Sequence, residues 1–140
     1  GECASGLGLL PLETEFLSEK RVVRNELQLE GEVWESFEIH TGESRYDEGV
    51  PFESLVAARK AGEGSFREDG VRFGNVWGSY QHGLFDSHTM REMLLKQAGV
   101  GGVETCKFDW RAKRSQVYEG MADCLDRYLD LDTVRRYLAL

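Results

Sequence analysis

Gly31 separates two stretches that share one pattern, and this arrangement constrains the fold more than any other feature of the chain. Before it, residues 19–30 alternate imperfectly, with Val22, Val23, Leu27 and Leu29 set among charged side chains. After it, residues 33–41 carry Trp34, Phe37 and Ile39 as bulky apolar members of a second extended run. A period near two, β-branched and aromatic residues, and a glycine at the reversal predict an antiparallel hairpin. The second strand is expected to end at Gly42.

Further β structure is expected on both sides. Residues 7–10 read as a short buried strand stopped by Pro11. This is preferred to a phosphate loop, because Gly6-x-Gly8 lacks a third glycine and a Lys-Ser/Thr pair. Residues 51–61, with Phe52, Leu55, Val56 and Ala58, predict a short helical or loop-helix segment closed by Gly62. Residues 64–67 and 71–73, separated by Glu68-Asp69-Gly70, read as a hairpin with an Asp-Gly turn. Val76, Trp77 and Tyr80 then form a strand-like run that ends at His82-Gly83.

The remainder predicts helices. Asp86 or Ser87 is a suitable N-cap for a helix with Met90, Leu94 and Ala98 on one face, ended by Gly99. Residues 99–102 predict a flexible break. Asp109 caps the strongest helical pattern, in which Trp110, Val117, Met121, Leu125 and Leu129 predict one buried face. Gly120 inside that pattern predicts a close contact. Asp132 is expected to cap a last short helix carrying Val134, Tyr137 and Leu138, and Arg111, Lys113 and Arg114 to be solvated. The expected class is α/β, with largely antiparallel strands followed by two or three helices.

Charge argues against a nucleic-acid backbone or an anionic membrane as the main partner, though not against a local basic patch. There are 25 acidic against 17 basic side chains, a net charge of −8. Nucleic-acid backbones and anionic membranes require a basic face. No apolar run approaches the ~20 residues of a membrane-spanning helix, and no signal-peptide pattern opens the chain. Cys3, Cys106 and Cys124 are widely spaced without a C-x-x-C, as expected of free thiols in a reducing cytoplasm.

Two histidines occupy similar places. His40 precedes Thr41-Gly42 and His82 precedes Gly83, each at the end of a predicted strand. A strand-end imidazole beside a glycine is well presented for chemistry, and it is equally a position for a hydrogen-bonded structural histidine. If the fold brings the two ends together, they share a site. His88 falls in the first turn of a helix, where the dipole disfavours a cation, and is expected at the surface. With His82 it forms an H-x5-H pair without a third ligand in sequence, so no metal site is expected.

Three segments in order carry a resemblance: Gly6-Leu7-Gly8-Leu9-Leu10-Pro11-Leu12-Glu13-Thr14, Phe37-Glu38-Ile39-His40-Thr41-Gly42 and Gly78-Ser79-Tyr80-Gln81-His82-Gly83-Leu84-Phe85-Asp86. Together with Leu125-x-x-Tyr128-Leu129-Asp130, they resemble the C-terminal part of the glutamine amidotransferase domain of cobyric acid synthase, a class I amidotransferase. The likeness spans essentially residues 1–140. It implies ATP-dependent amidation of corrin carboxylates in cobalamin biosynthesis, with glutamine as the ammonia source. The same resemblance marks His82 as the base that activates a cysteine thiol, and His40 as a substrate-site or structural residue. Relatives of the same family that amidate cobyrinic acid at a and c, or amidate a peptidoglycan precursor, are alternatives, as is a non-catalytic binding module.

Departures from the family pattern are informative. Phe37 stands where a tyrosine is usual, Ser36 where a glycine is, and Thr41 where a methionine is. Leu84 occupies the place where many amidotransferases carry a triad glutamate, which fits the cobyric acid synthase branch. The expected Gly-x-Cys-Gly-Gly elbow is missing, since Gly1-Glu2-Cys3 has no preceding strand. The chain is thus expected to be a C-terminal fragment without nucleophile, cofactor or metal, inactive alone, with ATP and Mg in an absent synthase domain. Its partners are expected to be glutamine, a corrin in the full-length enzyme and the rest of its own polypeptide. A homodimer through exposed sheet is a further expectation.

Overall fold

A computed structural model describes residues 3–47, 49–102 and 109–138. Two compact units divide it, residues 1–105 and 106–140. The first contains the β structure and one α-helix; the second contains two helices.

The predicted hairpin is present and longer than expected. Strand β1 spans Leu12–Leu29 and β2 spans Glu32–Tyr46, antiparallel, with Leu29 opposite Glu32. The connecting pair Glu30 and Gly31 has φ of 47° and 88°. A two-residue turn with both φ positive matches the right-handed twist of the strands it joins, and glycine adopts that conformation without a Cβ penalty. Gly42 does not end β2 but lies within it opposite Phe16, where a side chain would collide with its neighbours. A Cβ at Gly42 would lie 2.7 Å from Thr14 Cγ2 and 3.0 Å from Tyr80 Oη. Between Phe16 and Arg21 the register shifts, so that residues 17–20 bulge opposite Thr41 alone.

Three sequence expectations fail here for identifiable reasons. Residues 7–10 form no strand; Leu7 and Leu9 are exposed, and Gly8 has a φ of 65° that bends the chain. The strand starts beyond Pro11 instead. Residues 51–61 form no helix: Val56–Lys60 is strand β3, paired with β1 on one side and with β4 (Arg67–Asp69) on the other. Alternating burial at Val56 and Ala58 and two sets of ladder hydrogen bonds outweigh the helix propensity of alanine. Finally, β4 and β5 (Val71–Phe73) do not pair. Only Gly70 separates them, too few residues for a hairpin, and its φ of 70° sends β5 into a separate sheet with β6 (Val76–Gly78).

The main sheet has the order β4-β3-β1-β2-β7, with β7 the short strand Gln81–His82, and every pairing is antiparallel. Its inner face carries the core: Leu27, Trp34, Val56 and Ala58, together with Leu55 and Met90. Met90 comes from helix α1 (His88–Gln97) and is fully buried. Burying such side chains stabilises by about 1.5–3 kcal/mol each. Ser87 caps α1, its hydroxyl accepting from the Met90 amide. Glu32 extends the cap from the hairpin turn: its carboxylate accepts from Ser87 Oγ at 2.7 Å, His88 N at 3.2 Å and Thr89 N at 3.0 Å. The first turn of the helix is thereby tied to the start of β2.

In the second unit, α2 spans Trp110–Tyr128 and α3 spans Leu131–Leu138. Asp109 caps α2 as its sequence predicts, accepting from Arg111 N and Ala112 N. The stripe Trp110, Val117, Met121, Leu125 and Leu129 is about half exposed rather than buried, and among the described residues nothing lies within 4 Å of where a Cβ on Gly120 would stand. α3 is capped by Asp130, which accepts from Thr133 N at 3.0 Å, and not by Asp132, which lies inside the helix. Among the described residues no helix is long and apolar enough to cross a membrane.

Candidate active-site histidine and its setting

His82 ends β7, and Gly83, with a φ of 77°, turns the chain into the short 3-10 helix Leu84–Asp86 that leads to α1. A left-handed residue is needed at this point, and glycine accepts it without strain. The imidazole is therefore delivered at the end of a strand that is held on one side only, by β2. Its ring lies flat against Phe37, centroids 4.7 Å apart and planes 1° from parallel, and it is exposed to solvent.

His40 lies inside β2 and not at a strand end, and it does not share a site with His82. Residues opposite one another in an antiparallel ladder point to the same face, and neighbours along a strand point to opposite faces. Phe37 pairs with His82 and Glu38 with Gln81. His40 has the parity of Glu38, so it lies on the face away from His82. There it stacks on Tyr80, centroids 3.9 Å apart, and its Nδ1 donates to the Gly42 carbonyl at 2.5 Å. Its Nε2 is 3.7 Å from a Glu38 carboxylate oxygen. His40 is thus a hydrogen-bonded, half-buried residue of the inner polar layer. His88, expected at the surface, is also partly buried, with Nε2 3.3 Å from Glu92. Among the described residues no group of three or more His, Cys, Asp or Glu could hold a metal ion.

Behind His82, on the inner face, lies a polar layer that sequence patterning did not single out. Asn25, Ser36, Glu38 and Gln81 are all buried. Gln81 is its hub: Oε1 accepts from Asn25 Nδ2 at 3.1 Å, and Nε2 donates to Glu38 at 3.4 Å and Asp69 at 3.3 Å. Arg21 neutralises Glu38 through a short ion pair. Burial pushes the Asp69 carboxyl above its ordinary range, and the nearby Glu38 charge adds to this, while the Gln81 amide opposes it. Ser36 was legible in sequence only as an unusual residue beside the Phe37–Gly42 segment. The sequence signal for the layer was the polar i, i+2 pair Ser36 and Glu38 following Trp34 on one strand face.

Next to this layer is a cavity of about 330 Å³ lined by Ser44, Tyr46, Asp69, Ser79 and Tyr80 among others. Its hydroxyls are linked, Ser44 Oγ lying 2.7 Å from both Thr14 Oγ1 and Tyr80 Oη. Leu84, partly buried, packs against the apolar core. Cys3 and Cys124 are free and exposed, and Cys106 lies outside the described residues.

The chain is 35% identical to cobyric acid synthase of Shewanella oneidensis over 96% of its own length and 29% of that protein's. It is 36% identical to cobyric acid synthase of Beijerinckia indica subsp. indica, covering 91% and 25%, respectively. A third similar protein, cobyric acid synthase of Ruminiclostridium cellulolyticum, is 29% identical over 95% of the chain and 29% of the relative. The chain therefore spans less than a third of the length of the curated relatives it matches. No solved structure matches it. Residues 2–90, which include all three histidines and the whole main sheet, match the CobB/CobQ-like glutamine amidotransferase domain, and the chain belongs to that family.

Proposed function

We propose that this chain is the C-terminal part of the glutamine amidotransferase domain of a cobyric acid synthase, and that His82 is its catalytic base. The observation that carries the reading is the presentation of His82: an exposed imidazole at a strand end, oriented by a parallel aromatic ring. The names of the similar proteins favour corrin carboxylates over the other amidation substrates of the family.

In this reading a cysteine from a part of the polypeptide outside these residues faces His82. A thiol with an ordinary pKa near 8.5 is mostly protonated at neutral pH, so it needs a base. His82 takes the thiol proton as sulfur attacks the carboxamide carbon of glutamine. The C–N bond then breaks, and the same imidazole returns the proton to the departing ammonia. Water hydrolyses the thioester to glutamate, and ammonia passes to the corrin carboxylate. Leu84 leaves the imidazole without a carboxylate at the usual triad position, so the Phe37 ring supplies its orientation. ATP and Mg2+ belong to the synthase domain in this proposal, as the resemblance to cobyric acid synthase implies.

The test is made in the complete polypeptide that carries this chain. His82→Ala is expected to abolish glutamine-dependent amidation while amidation with added ammonium salt continues. A normal glutamine-dependent rate in that variant would remove His82 from the mechanism. The 140 residues by themselves are expected to release no ammonia from glutamine, and measurable release would show that the nucleophile lies within them.

A further inference from the structure

Three successive residues of the His82 segment are each held by a side chain from one row of β2. Trp34 Nε1 donates to the Gly83 carbonyl at 3.1 Å. Ser36 Oγ lies 2.7 Å from the His82 carbonyl oxygen. Glu38 accepts from the Gln81 carboxamide at 3.4 Å. Residues 34, 36 and 38 alternate along the strand, so all three project to the inner face, opposite the face that carries the imidazole.

The row is needed because β7 is only two residues long and pairs with β2 only at Phe37 and Glu38. Beyond His82 the backbone turns at Gly83 and leaves the ladder. An ordinary strand would be anchored there by further backbone hydrogen bonds. Here the side chains of Ser36 and Trp34 reach across to the His82 and Gly83 carbonyls, the second of which also accepts from Asp86 N at 3.0 Å. Gln81 supplies the remaining anchor: its buried carboxamide meets Asn25 on one side and the carboxylates of Glu38 and Asp69 on the other. Ser36 Oγ is also 3.0 Å from Gln81 Oε1, so one hydroxyl touches both residues.

From this arrangement we infer that Ser36 and Gln81 are positioning residues for His82, fixing from the opposite face of the sheet the backbone that carries the imidazole. The inference rests on the proposed role of His82 as base. Its chemical basis is that a proton-transfer group must lie within hydrogen-bond reach of its partner, and that a displacement of about 1 Å can cost on the order of a hundredfold in rate.

The test uses the complete polypeptide, measuring glutamine hydrolysis as kcat and KM separately. Ser36→Ala removes the hydroxyl with little change in volume, and Gln81→Met removes the carboxamide at similar length. Each is expected to lower kcat about ten- to a hundredfold with KM for glutamine near the wild-type value. Ser36→Thr, which keeps the hydroxyl, is expected to restore most of the rate. His82→Ala is run alongside. If His82→Ala abolishes hydrolysis while folded Ser36→Ala retains full kcat, the positioning role is overturned and the base assignment stands. If His82→Ala keeps its rate, the underlying reading fails. Should Gln81→Met not fold, Ser36→Ala and Ser36→Thr decide the matter by themselves. A fall in stability with no change in kcat in the Ser36 variants would count against positioning as well.

Discussion

The rings of Phe37 and His82 stack with their planes 1° from parallel and centroids 4.7 Å apart, because the two residues face each other across the β2–β7 ladder. The register places the aromatic ring beneath the imidazole, so the orientation of His82 follows from strand pairing. In 1H NMR spectra the ring protons of His82 are expected upfield of those of a free imidazole, and Phe37→Ala is expected to move them downfield. Phe37 is 43% exposed, so the truncation should cost only about 1 kcal/mol of stability. Unchanged His82 resonances in the variant would mean that the stack is not maintained in solution.

Gly42 is expected to tolerate no side chain. A Cβ there would meet Thr14 Cγ2 at 2.7 Å and the Tyr80 hydroxyl at 3.0 Å. Separating these atoms would disturb the Thr14–Ser44–Tyr80 hydroxyl chain and the stack of Tyr80 on His40. Gly42→Ala should therefore lower the unfolding free energy by about 1–3 kcal/mol, read as a lower urea midpoint with an unchanged slope.

Glu32 links stability to acid pH. Burial raises its pKa, but hydrogen bonds from Thr89, Ser87 and His88 outweigh it and bring the carboxyl from its ordinary 4.5 down to about 2. The folded pKa is the lower one, so the stabilisation is complete above pH 4.5 and is lost as pH falls through about 2. With solvent screening of this half-buried group, the contribution is about 1 kcal/mol. Glu32→Gln should flatten stability across that window, as measured by denaturant titrations at successive pH values. An unaltered pH dependence would show that Glu32 does not hold the helix cap.

Asp69 should act in the opposite sense. Burial and the Glu38 charge hold its pKa above 3.8, against the Gln81 hydrogen bond. The folded state then keeps the proton to higher pH than the unfolded chain does. Stability accordingly falls as pH rises from about 3.8 through the raised value. Asp69→Asn keeps an acceptor for Gln81 and removes the buried charge. It is expected to raise the midpoint of thermal unfolding at neutral pH. A lower midpoint would mean that the ionised carboxylate contributes net stabilisation.

Local rules made much of this protein readable from its sequence. Period-two alternation around Gly31 defined the hairpin, Asp109 marked the start of α2, Ser87 was one of two caps foreseen for α1, and the His82-Gly83 pair marked a strand end turning towards a helix. Each depends on residues close in sequence, whose backbone conformation or capping chemistry operates without the rest of the fold. The three-segment resemblance also led to the family and to His82 as the base of the proposed mechanism.

Pairing decided what local rules could not. Residues 56–60 became a strand because β1 and β4 flank them, and β4 and β5 parted because one glycine cannot close a hairpin. The facing of the two histidines depended on the β2–β7 register: a pairing of Phe37 with His82 puts His40 on the other side of the sheet, and a slip of one residue would have reversed it. The polar layer behind His82 joins Asn25, Ser36, Asp69 and Gln81, which are up to 56 residues apart. Spacing along a chain carries no record of such contacts. They exist only once the ladder brings the side chains to one face.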